Sequence, residues 1–360
     1  MINSQPLSPL VQTNFIMGEQ QAITEDEAAL YDRQIRLWGL DAQRRLRASR
    51  VLLIGMRGLG AEVAKNIVLA GIKSLTMLDD TEVTEEDSCS QFLLPRSDVG
   101  KNRAVCSLDR TQQLNPMVTV TADLGSVASK DTDFFTQFDV VCATCCGPTQ
   151  LVRINKICAD NGIKFYAGDV FGYYGYMFSD LGEHEYAEEI KKKPVTKDED
   201  GDGEPAAKKT KSEEPETVVV KKCSSFVRLN CALDVDWSTP ETAKKLNRTP
   251  NTYFITKVFL RFIEKFGRRP AVKSHDHDVE QLQALRSETV EDLKVGAKAV
   301  PEDFSSHCFA ELSPVCAVVG GILGQEIIKA VSHKDKPHNN FFFYNGVEGS
   351  GLVDQIGGSS

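Results

Sequence analysis

The feature that most constrains this chain is a glycine-rich turn between a buried strand and a helix. Residues 50–55 (RVLLIG) form a short apolar run that predicts a buried strand, and a helical period begins at Leu59. The turn between them, Gly55–Gly60, reads GMRGLG, and Asp79 ends the next predicted strand, nineteen residues beyond Gly60. This arrangement is typical of a Rossmann-like fold, in which a nucleotide binds outside the carboxyl ends of parallel strands.

One position of the turn departs from the nucleotide-binding pattern. In a working site the first glycine makes the turn, the second lets the backbone touch the phosphates, and the third allows close helix packing. Gly55 and Gly60 occupy the first and third positions, but Arg57 occupies the second, beside Gly58. The second position requires space rather than charge, and a long side chain cannot supply space. The sequence therefore predicts a degenerate site, formed by the loop with Gly55, Arg57, Gly58 and Gly60 and by Asp79 at the end of the next strand, with no functional ATP or NAD binding on this chain.

The whole chain predicts an α/β fold with a mostly parallel sheet. Short apolar runs alternate with helical patterns from residue 50 to 168, which indicates right-handed βαβ units, and residues 171–182 predict an antiparallel extension. The predicted regions follow the chain in order: a flexible tail (1–23), the first part of the Rossmann-like domain (24–189), a disordered charged loop (190–222), an inserted small region (223–313) and a return to the main domain (314–360).

Several local patterns make specific predictions. Thr24 and Glu27 form a capping box that should begin one helix, with residues from Leu30 to Trp38 along its apolar face. Residues 226–229 predict a strand. Residues 314–331 predict a long apolar helix whose small residues permit close packing, namely Ala317, Gly320, Gly321 and Gly324. His184 is predicted to lie at the surface or in an interface.

Composition excludes some partners and sites. The net charge is −9, which disfavours nucleic acid or an anionic membrane as the main partner. No run of about 18 apolar residues predicts a membrane-spanning helix. The ten cysteines are scattered, and the single CxxC, formed by Cys142 and Cys145, lacks the second ligand pair of a zinc site. We therefore expect reduced cysteines and no bound metal.

Longer motifs resemble the activating enzymes (E1) of ubiquitin-like modifiers, which have the ThiF/MoeB-type adenylation fold. Residues 31–39 (YDRQIRLWG) are similar to the N-terminal signature of that family, and residues 48–79 are similar to the start of its nucleotide fold. Further matches are residues 91–93, 114–116, 168–172, 314–329 and 339–346. Within the family, the length and the charged loop look most like the small, regulatory subunits of the SUMO-activating branch.

The resemblance implies ATP-dependent activation of SUMO by a heterodimer. The C-terminal glycine of SUMO would be adenylated, and a cysteine of the large catalytic subunit would then accept the acyl group as a thioester. ATP and Mg²⁺ would be bound by that partner subunit, and an E2 conjugating enzyme would bind through it. A nuclear location is expected, with Lys191–Lys193 and Lys208–Lys211 as an import signal or, equally, as a solvated part of the charged loop.

The family's catalytic positions are not matched here, apart from one arginine. Residues 84–90 (TEEDSCS) lack the family's Asn and Arg, Arg103 stands in place of its lysine, and residues 144–147 (TCCG) lack its magnesium-binding Asp. Neither Cys223 nor Cys231 lies in a sequence like the family's thioester loop. By resemblance, Arg33 would reach in trans to the triphosphate of the ATP held by the partner. The chain is thus expected to be the non-catalytic subunit of an E1, inactive in isolation.

Three other functions stay open at this point. A self-sufficient adenylating enzyme, like the bacterial activators of sulfur carriers, would require a working ATP site on this chain. An NAD-dependent oxidoreductase would use Gly55, Gly60 and Asp79 equally well but would leave residues 31–39 without a role. A pure scaffold would differ from the predicted subunit only in making no use of Arg33.

Overall fold

The computed structural model describes residues 24–191 and 217–358, and their strands form one large sheet and one ribbon. The large sheet contains eight strands, β1 (Arg50–Ile54), β2 (Ser74–Leu78), β3 (Thr119–Asp123), β4 (Val140–Thr144), β5 (Lys164–Phe171), β6 (Tyr174–Asp180), β9 (Phe341–Asn345) and β10 (Ser350–Asp354). The antiparallel ribbon consists of β7 (Glu183–Lys191) and β8 (Thr217–Ser225).

The order of the strands places a crevice near the middle of the sheet. The order is β3-β2-β1-β4-β5-β6-β9-β10, and β1 to β5 are parallel while β6, β9 and β10 continue antiparallel. The chain passes from β1 to β2 on one side of β1, and β4 lies on the other side of β1. Such a reversal leaves a crevice outside the carboxyl ends of β1 and β4, which is where α/β sheets bind ligands. The predicted fold class is confirmed.

Helices cover both faces of the sheet. They are α1 (Glu25–Leu30), α2 (Asp32–Trp38), α3 (Leu40–Ala48), α4 (Gly58–Leu69), α5 (Arg103–Leu114), α6 (Thr132–Phe135), α7 (Pro148–Asp160), α8 (Leu229–Leu233), α9 (Pro240–Leu246), α10 (Asn251–Phe266), α11 (His275–Asp292) and α12 (Ser313–Ser332). Apolar residues of α3, α4 and α12 form the core on one face, and those of α7, α10 and α11 form the core on the other. The molecule therefore has three layers, with the sheet in the middle.

The region predicted as an insertion, residues 223–313, supplies part of a main layer rather than a separate body. Its helix α10 packs on α7, β6 and β9, and Phe259 stacks on Phe171 of β5 with ring centroids 4.0 Å apart. Gly267 ends α10 in the left-handed conformation, which glycine adopts without steric cost. Residues of this region thus share one core with the strands.

Three local predictions are wrong in ways that have physical causes. The capping box at Thr24 is present, but the helix it begins ends at Leu30, because the buried Tyr31 interrupts the pattern and leaves Leu30 exposed. Residues 226–229 form no strand: the Leu229 amide donates to Asn155 Oδ1, 2.9 Å away, and a short helix starts there. Both ends of the predicted charged loop are strands, since residues 190–191 belong to β7 and residues 217–222 to β8; residues 1–23 and 192–216 lie outside the described part.

Helix α12 is long and apolar enough to cross a membrane by length and composition, with a mean hydropathy of 1.5. Two thirds of it, 67%, is buried within the protein, where it packs against α4 and against β5 and β6. These contacts explain the apolar composition as that of a core helix.

Candidate functional site

The glycines of the turn are required by the packing of the fold itself. Gly55 has a φ of +86°, and a Cβ there would lie 2.5 Å from the Thr144 carbonyl oxygen of the neighbouring strand. A Cβ at Gly58 would collide with Ser90, and one at Gly60 would collide with the Gly55 carbonyl. Glycines are therefore needed here for close approach of β1, β4 and α4, whether or not a nucleotide binds. Their presence in the sequence is a sign of the fold.

A cleft of about 690 Å³ lies outside the carboxyl ends of β1, β2 and β4. This is the position at which the sequence predicts a nucleotide fold to bind its ligand. Several charged side chains line it, among them Arg57, Asp79, Arg103 and Arg269, together with Cys145. The question is whether those groups are free to bind a ligand.

One backbone amide of the turn and one in the first turn of α4 donate hydrogen bonds to carboxylates of the chain. The Leu59 amide donates to Glu311 Oε2 at 3.3 Å, and the Met56 amide donates to Asp79 Oδ2 at 2.8 Å. Amides at this place, with the positive end of the helix dipole behind them, are the groups that bind phosphate in nucleotide folds. Glu311 is 4% exposed and Asp79 is 7% exposed. The anion position is thus filled from within, by residues that a triphosphate would have to displace.

Arg57 takes part in this arrangement without backbone strain. Its φ of −73° and ψ of −166° are ordinary extended values, so the position does not demand glycine for conformation. The guanidinium lies 3.4 Å from Glu311 Oε1 and 3.9 Å from Asp87 Oδ1, counting from Nε. The sequence predicted that Arg57 alone obstructs phosphate binding. The structure adds a carboxylate, Glu311, which occupies the anion position and is neutralised by Arg57.

Asp79 forms a buried ion pair with Arg103. Arg103 lies 3.0 Å from Asp79 Oδ2 and 3.1 Å from Asp87 Oδ2, and the Thr81 amide also donates to Asp79. Burial by itself lowers the pKa of Arg103, but the two carboxylates outweigh it, and the pKa is raised. The carboxylate that would receive ribose hydroxyls in a dinucleotide site is therefore already fully bonded.

A second buried cluster lies behind Glu311. Arg269 reaches Asp169 Oδ1 at 2.5 Å and Glu311 Oε1 at 3.7 Å, and Cys145 Sγ lies 3.5 Å from Glu311 Oε1. Burial raises the pKa of Asp169, although Arg269 opposes the effect. Burial, together with Glu311 and Asp169, also raises the pKa of Cys145 well above its usual value. This raised pKa favours the protonated thiol, which is a poor nucleophile.

The same cluster has the spacing of a metal site but not its charge. Ligand atoms of Cys145, Asp169 and Glu311 lie within 4.8 Å of one another. Their negative charge is, however, already balanced by the guanidinium groups of Arg57 and Arg269. A divalent cation would have to displace both arginines from the carboxylates. Although carboxylate oxygens are hard ligands, the existing ion pairs oppose this displacement.

Arg33 lies at the opposite end of α4 from this cleft. Its neighbours anchor α2: Gln34 Nε2 donates to the Leu69 carbonyl at 3.1 Å, and the Tyr31 hydroxyl accepts from Asn115 Nδ2 at 2.8 Å. The Arg33 side chain is exposed and makes no hydrogen bond or ion pair within the described chain. Since α4 has 12 residues, about 18 Å of helix separate Arg33 from the glycine-rich turn. Arg33 therefore cannot serve the cleft of its own chain.

The cysteines form no disulfide bonds, and five of the ten are buried. All ten are free, including Cys142 and Cys145 of the CxxC. Burial raises the pKa of Cys146 to about 12. Cys223 and Cys231 are exposed, on β8 and α8 respectively, and both lie outside the cleft.

Sequence reasoning missed two of the residues that define the site. Glu311 and Arg269 lie 252 and 210 positions from Leu59, and no local motif marks either of them. Asp169 stands within GDVFG, which the family resemblance included, and Arg103 stands where the family has a lysine, so both carried a signal that could have been followed.

Comparison with known proteins gives a consistent result along nearly the whole chain. A model of the ThiF family matches residues 31–356. A Xenopus laevis protein named SUMO-activating enzyme subunit 1 is 53% identical over 343 residues, covering 94% of this chain and 98% of the frog protein. Proteins of the same name are 52% identical over 337 residues in Homo sapiens (93% and 96% covered) and 53% identical over 340 residues in Danio rerio (94% and 97% covered).

Proposed function

We propose that this chain, which belongs to the ThiF family, is the small subunit of a heterodimeric SUMO-activating enzyme whose adenylation centre lies on the large subunit. The family match and the names of the relatives support the role of a SUMO E1 subunit. The division of labour between the two subunits is our inference from the site.

The single observation that carries the inference is the position of Glu311. Its carboxylate accepts from the Leu59 amide in the first turn of α4 and is held there by Arg57 and Arg269. A nucleotide triphosphate brings several negative charges to that place, and it would meet a buried carboxylate instead of free amides. The residues present on this chain therefore do not fit ATP, and we assign no chemical step to this cleft.

In this account the chemistry belongs to the large subunit, which would bind ATP and Mg²⁺. The glycine carboxylate of SUMO would attack the α-phosphate to give an acyl-adenylate and pyrophosphate, and a cysteine of the large subunit would then displace AMP to form the thioester. The E2 conjugating enzyme would be recruited through the large subunit. A nuclear location is part of the proposal; one of the basic clusters that suggest it lies outside the described residues, and the other lies almost entirely so.

Arg33 is the residue of this chain that we place in the chemistry. Its guanidinium is exposed, is unpaired among the described residues, and projects from a helix that Tyr31 and Gln34 fix to the body of the protein. Such a group is ready to bind phosphate oxygens of another chain, and it would neutralise charge as pyrophosphate leaves. The distance to its own cleft supports action in trans rather than in cis.

Substitution of Arg33 tests this role, and the same helix offers a matched control. Arg36 is one turn away, also exposed, and paired with Asp32 at 3.0 Å. In the assembled heterodimer, Arg33→Ala should lower SUMO-dependent ATP–pyrophosphate exchange about 100-fold, the usual effect of removing one preorganised donor. Arg36→Ala should stay within about twofold, because it removes only a surface ion pair.

Dimer assembly, measured by size-exclusion chromatography, should be unaffected by either substitution. If exchange were unchanged in Arg33→Ala, or if both variants lost it equally, the in-trans role would be wrong and the chain would be a scaffold.

No contact of the cleft favours the oxidoreductase alternative, since Asp79 is engaged by Arg103 and by the turn.

A further inference from the structure

The outer edge of β10 is a free edge of the large sheet. β10 pairs with β9 on one side, and no strand of the described residues pairs with its other side. In an antiparallel strand every second residue directs its N–H and C=O away from the paired neighbour. The backbone groups on the outer side of β10 are therefore available to another extended segment.

This edge differs from the opposite edge of the same sheet. The strand at the other end, β3, exposes Thr119 and Thr121, which is the polar surface expected of a protected edge. β10 instead exposes Leu352 at 52% and Val353 at 46%, two adjacent apolar side chains that point to opposite faces. An apolar edge of this kind indicates a surface that another chain covers.

Hollows lie along β10 on both faces, at the spacing of strand side chains. On the face shared with α10, Leu352 borders a hollow of about 90 Å³, and two residues further Asp354 borders a pocket of about 450 Å³ under α9. On the opposite face, Val353 borders a cavity of about 530 Å³. Side chains of an added strand would alternate between these faces and would reach the hollows in turn.

The charges around the two larger cavities are mainly positive. Lys245 and Arg248 line the pocket under α9, and Lys336 lines the cavity on the other face. All three are exposed and have no ion-pair partner among the residues described. The one carboxylate in either lining is Asp354, whose pKa is raised by burial. On a chain with a net charge of −9, this local excess of cations favours an acidic partner.

We propose that the β10 edge binds an extended peptide segment of another protein, with apolar residues at alternate positions and acidic residues between them. Backbone hydrogen bonds to β10 would supply affinity, and the cavity on the Val353 face would receive its apolar side chains, because alternate residues of a strand share one face. Its acidic side chains would lie on the other face, near Lys245 and Arg248. This site is separate from the cleft and from Arg33.

The experiment uses the full chain and a synthetic heptapeptide of alternating valine and glutamate with blocked ends. Binding is followed by isothermal titration, and strand addition by hydrogen–deuterium exchange of the amides of residues 350–354. We expect saturable binding, slower exchange of those amides, and loss of binding when lysine replaces every glutamate in the peptide. Affinity should also fall as salt is raised, because the charges concerned are exposed.

The double substitution Lys245→Glu with Arg248→Glu should weaken binding about tenfold, whereas Lys244→Glu should change it less than about twofold. Lys244 is the control because it is exposed on the same helix but does not line the pocket. The proposal is overturned if the acidic peptide fails to bind, if it binds no better than the basic one, or if it binds without protecting residues 350–354. Slow exchange, without peptide, of the amides in this stretch that point away from β9 would also overturn it, because the edge would then be covered by this chain or by a second copy.

Discussion

Among single residues, Glu311 has the largest influence on what the cleft can bind. It is buried at the start of α4, it accepts from the Leu59 amide, and its charge is shared by Arg57 and Arg269. A buried carboxylate with two guanidinium partners is costly to disrupt, since removal of one member leaves the others uncompensated. The obstruction of the anion position is therefore part of the stability of the fold.

Glu311→Gln should lower the free energy of unfolding by about 3 kcal/mol, because it keeps the shape of the side chain but leaves Arg57 and Arg269 short of a counter-charge. Urea denaturation followed by circular dichroism measures the change. Glu302→Gln is the control, since Glu302 is exposed and its side chain has no partner in the described part. Equal stability of the two variants would show that the Glu311 ion pairs contribute nothing.

His184, predicted to lie at the surface or in an interface, is buried within the chain, at 3% exposed. His184 and Tyr186 of β7 are both buried, and the His184 ring stacks on the His333 ring with centroids 5.0 Å apart. Burial, with smaller effects of His333 and Lys164, lowers the pKa of His184 from 6.5 to about 4. The sequence could not reveal this, because the hydrophobic alternation of β7 is weak and acidic residues flank the histidine.

The lowered pKa of His184 predicts a loss of stability in mild acid. Below pH 6.5 the unfolded chain takes up a proton on this histidine, while the folded protein does not until about pH 4, so stability falls as pH falls through this window. Between pH 7 and pH 5 the loss should be about 2 kcal/mol. His184→Gln should remove that part of the pH dependence, and His277→Gln, at an exposed position, should not. Parallel pH profiles of all three proteins would contradict this.

At the scale of elements, the packing of α12 on α4 depends on two glycines. A Cβ at Gly320 would lie 2.5 Å from Glu62 Cβ, and a Cβ at Gly324 would lie 2.6 Å from Asn66 Cβ. Gly321 faces open space, with no atom within 4 Å of such a Cβ. The sequence predicted close packing from these small residues and from Ala317, but it did not distinguish the residues in contact from those outside it.

Alanine substitutions should therefore have opposite effects at adjacent positions of α12. Gly321→Ala should raise the free energy of unfolding by about 0.8 kcal/mol, the difference in helix propensity between the two residues. Gly320→Ala gains the same propensity but forces α12 away from α4, and a net loss of about 1–2 kcal/mol is expected. Chemical denaturation of both variants provides the comparison. A stabilised Gly320→Ala would show that the two helices can separate without cost.

Most elements were predictable because their patterns are local. Strands β1 and β4 are continuous apolar runs, and α10 ends at the glycine that its sequence indicates. Failures occurred where a distant contact decides the structure. The helix break at Tyr31 depends on Asn115, and the helix that replaces the predicted strand at residues 226–229 depends on Asn155. No window of the sequence contains both partners of either contact.

At the scale of the whole molecule, the sequence predicted the fold, the family and half of the site. The glycine turn and its altered second position are adjacent in the chain, so Arg57 could be found by inspection. The carboxylate that fills the anion position comes from a loop more than 250 residues away, and only the folded sheet brings it to α4. The contacts by which Glu311 fills the anion position therefore become visible only in the folded structure.

The most direct test of the account measures MgATP binding to the purified chain alone and to its heterodimer with the large subunit. Isothermal titration should detect no nucleotide binding to the isolated chain, and SUMO-dependent pyrophosphate exchange should require the large subunit. A monomeric preparation of this chain that binds MgATP with 1:1 stoichiometry and catalyses exchange with SUMO by itself would contradict the central claim.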